Sequence, residues 1–432
     1  MGNLRRRPLI AMGLALAGAS AAPLSMGARA LTSSTDARPD DVTEFWARIA
    51  RDYVVREDIV NLENGNWGIM SKPVLEAYLE HTRRVNRDNS YFARRSFYGE
   101  FLSVRERVAS FLGAGVDEIV FTRNATEALK SLIGGYRGLT AGNAVMIADL
   151  DYGSMRDAMR TRAARDGCTV IDVSVPEGAG YDELIEFYRK QLQLHPTVKL
   201  LLLTHVSHRT GLMLPVREIV SLARERGVDV IVDAAHSWGQ IPFSVDDLDA
   251  DFVGFNLHKW IGAPLGVGLV YIRRSRLTQI APDIAASDDE QEATRGRVHT
   301  GTTNFAALLS VPAALDYHEK IGPRRKTARL RQLRNRWVSA LRGHESWEIL
   351  TPDDPRLYAG ITSLRHRELR SAEDNRKLAS WLLDEHRIFT VHRDGIAAGA
   401  CIRITPSVYN SVGDIDRLVA GLRGFEVRRK SF

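Results

Sequence analysis

The 432-residue chain holds only two cysteines, Cys168 and Cys401, so neither a disulfide framework nor a four-thiolate zinc site is open to it, and no metal is expected. Both stand in apolar, strand-like runs (GCTVIDV and ACIRI), where a cysteine reads as a buried small hydrophobe. No G-x-G-x-x-G opens the first βα unit, which argues against a nicotinamide oxidoreductase. Internal repeats and low-complexity tracts are missing too, which excludes arrays and long disordered tails. The net charge is only +6 and arginine is scattered along the chain; no nucleic-acid recognition motif accompanies it. What remains is an ordinary globular composition, 44% hydrophobic and 26% charged, in a chain long enough for a large core or two domains.

The N-terminus reads as an export signal. Arg5, Arg6 and Arg7 precede Pro8-Leu9-Ile10 and the weakly apolar run AMGLALAGASAAPL, and Ala28-Arg29-Ala30 is a small-x-small cleavage pattern. That run is too short and too rich in glycine and alanine for a stable membrane span. An arginine pair followed by two apolar residues is similar to a twin-arginine signal, so residues 1–30 are expected to be removed and the mature chain to be periplasmic without a stable membrane anchor. Residues 31–45 read as a polar linker.

From about Glu118 the chain alternates apolar β-branched runs with amphipathic helical segments. The runs are EIVFT, AVMIADL, TVIDVSV, VKLLLLTHVS, VDVIVDAA, DFVGFN and GVGLVYI. Runs apolar on both faces suit a mainly parallel sheet covered by helices, so the fold class is α/β with a doubly wound sheet. Past Gly301 an Arg-rich helical stretch leads into mixed elements, closing with VGDIDRLVAGLRGF. The expected division is a large domain over 75–310 and a smaller α+β domain from 46–74 and 311–432.

Chemistry-bearing residues fall at the strand ends, where ligands bind in open α/β sheets. Lys259 stands in GFNLHKWIGAPLGVGLVY among Phe255, Trp260 and Ile261. A lone lysine is ordinarily a solvated surface residue, but this apolar setting would depress its pKa and favour imine chemistry. Asp233 ends VDVIVD, where a carboxylate needs a partner: a helix N-cap, or the protonated nitrogen of a pyridine ring used as an electron sink. His236 could bond a ring oxygen, or be a satisfied core histidine. TRNATEALKSLIGG opens a helix at Ala125-Thr126, whose free N–H groups would attract a phosphate. Tyr152 in ADLDYGSM could stack on a ring, Ser207 and His208 in THVSHRTG could bond its oxygen, and Asn256 could reach the phosphate. Each is weak alone; their order at successive strand ends is the signal.

That order, LDYGS, HVSHRTG, VDAAHS, FNLHKW and IRITPSVYNSVGDID, resembles the class V aminotransferase family of fold-type I pyridoxal-5′-phosphate (PLP) enzymes across nearly the whole mature chain. The N-x-H-K-W-x-x-A-P-x-G form around Lys259 is similar to the isopenicillin N epimerase-like branch. The resemblance implies PLP bound to Lys259 as a Schiff base, with Asp233 as pyridinium partner and Tyr152 as stacking residue. It puts Ala125, Thr126, Asn256 and His258 around the phosphate. It implies a homodimer, in which Gly301, Thr302 and Thr303 reach the partner's phosphate, and a substrate site built from Asn64, Gly65, Trp67 and the carboxylate-binding Arg403. Two positions depart from the family: Tyr152 replaces a more frequent histidine, and His208 stands where a small polar residue or asparagine is usual.

Alternation in IRI points Arg403 away from Ile402 and Ile404. It is expected to meet a substrate carboxylate or, alternatively, an internal partner such as Asp414 or Asp416. The expected activity is transformation of the Cα-amino region of an amino acid or peptide natural product. Export adds a resemblance to a periplasmic PLP enzyme that tailors pyoverdine siderophore precursors. An amino-acid epimerase is the alternative, a cysteine desulfurase a weaker rival, and a non-enzymatic secreted binding module the reading from another class.

Overall fold

A computed structural model describes residues 39–429, with side chains over 42–425; the expected leader and the start of the linker lie outside the described residues. Of the described residues, those from Glu44 onward form one compact unit.

Its centre is a seven-stranded sheet: β1 Ile119–Thr122, β2 Ala144–Ala148, β3 Thr169–Val173, β4 Val198–Thr204, β5 Asp229–Asp233, β6 Phe252–Asn256 and β7 Gly268–Ile272. The spatial order is β1-β7-β6-β5-β4-β2-β3. All pairings are parallel except those of β7, which runs antiparallel to both β1 and β6. EIVFT and GVGLVYI are therefore antiparallel neighbours inside an otherwise parallel sheet, and they look like the other strands in sequence because helices cover them as well.

The period of two places alternate side chains in different cores. Val145, Ile147, Leu200 and Leu202 face one apolar cluster, while Met146, Ala148, Leu201 and Leu203 face the other. The helix Ala125–Gly135 packs close on β6 and β7 because both carry a glycine there: a Cβ on Gly254 would lie 2.8 Å from Leu129, and one on Gly268 2.5 Å from the Asn124 backbone.

A second, antiparallel sheet comprises β8 Trp347–Ile349, β9 Thr362–His366, β10 Val391–Arg393 and β11 Cys401–Ile404, in the order β10-β11-β9-β8. Leu364, Ile402 and Ile404 pack from it onto Leu378, Leu382, Leu418 and Leu422 of the helices Ala372–His386 and Val412–Arg429. The Arg-rich stretch is the helix Pro323–Leu341, as its periodicity suggests.

The order reverses between β2 and β4, which opens a crevice beyond the carboxyl ends of the strands. Thr204, Asp233 and Asn256 end β4, β5 and β6 at this crevice. Cys401 is fully buried, but Cys168 is not the buried hydrophobe its run suggests. It sits at the mouth of its strand, half-exposed, with its thiol 3.3 Å from the Thr140 carbonyl.

Candidate active site

The crevice holds a cavity of about 520 Å³. Lys259 follows β6 on a turn that is locked from below: the Gly68 N–H donates to the His258 carbonyl at 2.8 Å. A Cβ on Gly68 would stand 2.1 Å from the Lys259 carbonyl, so only glycine admits this approach. The Lys259 Nζ lies 3.0 Å from Nε2 of His236. Burial, and then the nearby Arg403 charge, pull the lysine down to about 7, against the opposing pull of Asp233 and Glu63. Burial followed by the Lys259 charge holds His236 well below its ordinary value, so the ring is neutral. A neutral amine in a cavity is the nucleophile an imine-forming site needs.

Asp233 is buried, and its Oδ1 accepts the Ala235 N–H at 2.9 Å. Burial raises its pKa, so a cation placed against it inside the cavity would restore the carboxylate. At the other end, Asn124 caps the helix Ala125–Gly135 by accepting the Glu127 N–H at 2.9 Å, and Asn256 Oδ1 accepts the Ala125 N–H at 2.8 Å. Thr126 keeps a hydroxyl with no partner among the described residues at this positive helix end. His258 donates Nδ1–H to the Val267 carbonyl at 3.0 Å and is pulled down to about 4, chiefly by burial. Tyr152 lines the cavity and meets His208 edge-on, with centroids 5.2 Å apart.

Arg403 projects from β11 into the same cavity, as the alternation around Ile402 and Ile404 implies. It is 1% exposed. Its partner is neither Asp414, which caps the turn at Ser411, nor Asp416, which pairs with Arg336. Arg403 instead bridges to Glu63 and donates through Nη1 to the His208 carbonyl at 2.7 Å. Arg393 reaches the same Glu63 oxygen at 3.2 Å. A Cβ on Gly65 would fall 2.8 Å from Arg403 Nη2, so this glycine clears the guanidinium's place.

Not every expected residue reaches the cavity. The Ser207 hydroxyl turns back to accept the Arg209 and Thr210 N–H groups at 3.1 and 3.3 Å, closing its own turn. Asn64 is consumed by scaffolding, donating to the Thr405 carbonyl at 2.9 Å and accepting from the Tyr409 hydroxyl at 2.5 Å. Trp67 is half-exposed beside a neighbouring depression, while Thr302 and Thr303, expected at the partner's phosphate, lie on a loop away from this chain's own cavity. Sequence reasoning missed Glu63, Arg209, Arg393 and Asp394. Glu63 directly precedes the Asn64-Gly65 motif, which was the available signal.

The family Aminotransferase class-V matches residues 70–418. The chain belongs to this family. An isopenicillin N epimerase of Amycolatopsis lactamdurans is 27% identical over 400 residues, covering 88% of this chain and 99% of that protein. A probable cysteine desulfurase of Vibrio cholerae is 26% identical, covering 80% of this chain and 87% of that one. Among solved structures, the cysteine desulfurase CsdA of Escherichia coli superposes with a TM-score of 0.75 at 20% identity, over 88% of this chain and 98% of that one. The cofactor is pyridoxal 5′-phosphate. The donor set fits it: an amine at Lys259 that burial brings down to about 7, a carboxylate at Asp233 for the ring nitrogen, and the Ala125–Thr126 helix start for the phosphate.

Proposed function

We propose that this class V enzyme ionises the Cα–H bond of an amino acid, or of an amino-acid residue in a peptide natural product. The observation that carries the reading is the Lys259 amine, held near pKa 7 in one cavity with Asp233 and Arg403. When bound, pyridoxal phosphate supplies the electron sink. Arg403 grips the substrate carboxylate and sets the Cα–H bond toward Lys259. The Lys259 amine takes the Cα proton as general base. Asp233 keeps a proton on the ring nitrogen, and His236 receives a hydrogen bond from the Lys259 amine once it is free.

Epimerisation is the second reading, favoured by the match to an epimerase along almost its whole length. A desulfurase needs a thiolate beside the substrate. Neither cysteine lines the cavity, and burial pushes the Cys401 thiol up to about 11.

The test is exchange at Cα. The holoenzyme in D₂O is screened against amino acids and secreted peptides by mass spectrometry and chiral analysis. Deuterium retained with inversion reads as epimerisation, and keto-acid formation as amino transfer. Absence of exchange in every substrate would sink the reading.

We further propose that residues 1–30 direct folded export to the periplasm, consistent with siderophore-type tailoring of a secreted peptide. Replacing Arg6 and Arg7 by lysine should leave the precursor in the cytoplasm. The working unit is proposed to be a homodimer, with the loop at Thr302 and Thr303 serving the partner's phosphate site, which sedimentation of the holoenzyme would test.

A further inference from the structure

A buried arginine beside the substrate position makes no ion pair among the described residues, and the Asp394, Asp149 and Asp151 charges act on it only from beyond ion-pair distance. Arg209 follows β4 in the loop His205–Leu212, lines the cavity and is 7% exposed. Its backbone is pinned to the second sheet: the Arg209 carbonyl accepts the Ser363 hydroxyl at 2.5 Å, and the Thr210 carbonyl accepts the Ser363 N–H at 3.1 Å. Gly395, at φ +76, lies against the guanidinium so closely that a Cβ there would stand 2.0 Å from Nη1. The side chain is thus fixed from both sides. Yet its one polar contact is Nε to His208 Nε2 at 3.4 Å, and neither Nη meets an acceptor among the described residues.

The two neighbouring arginines are also short of acceptors. Arg393 and Arg403 share a single oxygen of Glu63, and the Nε of each is buried without a partner. Asp394 stands exposed at the mouth, where its charge acts on Arg209 without forming an ion pair with it or with Arg393. His208 lies between these cations and is kept neutral, by burial first and the Arg209 charge second, so it supplies no counter-charge. A buried guanidinium without an anion is costly. Arg209 has no anion within ion-pair reach, and Arg393 and Arg403 divide one carboxylate, so the cluster has room for a second anionic group of a ligand.

We infer that Arg209 and Arg393 recognise a second carboxylate, on the side chain of the substrate, while Arg403 takes the one at Cα. The substrate class is then an amino dicarboxylate or an acidic residue at the end of a peptide. This rests on the Cα reading above, but its test does not need the reaction.

Glutarate has two carboxylates and no amine; valerate has one carboxylate on a chain of the same length. Titration calorimetry on the holoenzyme should find glutarate bound at least about tenfold more tightly, the scale of one charge-assisted contact. In Arg209→Gln and Arg393→Gln, checked for native melting, that ratio should fall to within about twofold. Arg209→Lys serves where the glutamine variant melts early, because it keeps the charge and loses the fork, and an intermediate ratio is expected. Equal binding of the two acids by the wild type, or a ratio preserved in both glutamine variants, overturns the inference. Cα exchange without any glutarate preference would leave the reaction standing and remove only the second carboxylate site. An Arg209-dependent preference without Cα exchange would do the reverse.

Discussion

The Lys259 Nζ and the His236 Nε2 stand 3.0 Å apart, in a cavity whose burial lowers the pKa of both groups. The consequence is kinetic. A lysine whose pKa is lowered to about 7 is free base above that pH and a cation below it. Covalent capture of pyridoxal phosphate by the apoprotein should rise with pH, reach half its maximum near 7 and level off by about pH 9. Stopped-flow absorbance measures it. A rate still climbing toward pH 10, as for an ordinary lysine, would contradict the assignment of a desolvated amine.

Arg403 is bound both to Glu63 and to the cavity, so two substitutions separate its roles. Arg403→Lys keeps the charge but loses the two-bond geometry, and is expected to cost about 2–3 kcal/mol of kcat/KM while cofactor binding is retained. Glu63→Gln leaves the buried Arg403 and the partly buried Arg393 without their shared anion and is expected to cost about 3 kcal/mol of stability. Denaturant melts and steady-state kinetics on both variants read the difference.

Gly65→Ala tests the clearance directly. Its Cβ would press on Arg403 Nη2 from 2.8 Å, so the guanidinium must shift. A loss of about tenfold in kcat/KM, mostly through KM, is expected, with unchanged cofactor absorbance. An unaltered KM would show that Arg403 does not hold the substrate there.

Lys326 is a second buried lysine, with its amine donating to the Trp260 carbonyl and standing 3.3 Å from His318 Nδ1. Burial lowers it to about 7. The unfolded chain therefore binds more protons between pH 7 and the ordinary lysine value, and this group's destabilising effect is complete below 7 and fades as pH rises. Lys326→Met should accordingly help stability more at pH 6 than at pH 10, by about 2–4 kcal/mol. Denaturant titrations at the two pH values check it.

The strand ends were readable because their chemistry is local. Asp233 closes an apolar strand, Lys259 sits in an apolar turn, and the Asn124–Thr126 helix start carries its own cap. Arg403's direction followed from alternation in IRI. Its partner did not, since Glu63 is 340 positions away and meets it only when the N-terminal loop crosses the second sheet. Arg209 and Arg393 were hidden for the same reason: an arginine's burial depends on what packs over it. Ser207 and Asn64 show the converse, their side chains being engaged away from the cavity. Short polar side chains satisfy nearby backbone groups first, and a motif does not show whether any bonding capacity remains. The antiparallel β7 was equally hidden, because strand direction leaves no mark on an apolar run covered on both faces.

The central claim is that Lys259 carries the cofactor. Borohydride reduction of the purified holoenzyme, followed by peptide mass mapping, tests it most directly. The expected result is one phosphopyridoxyl adduct, on the peptide containing Lys259, and none after Lys259→Ala. An adduct on Lys326 or any other lysine, or an adduct that survives in the Lys259→Ala variant, would contradict the account.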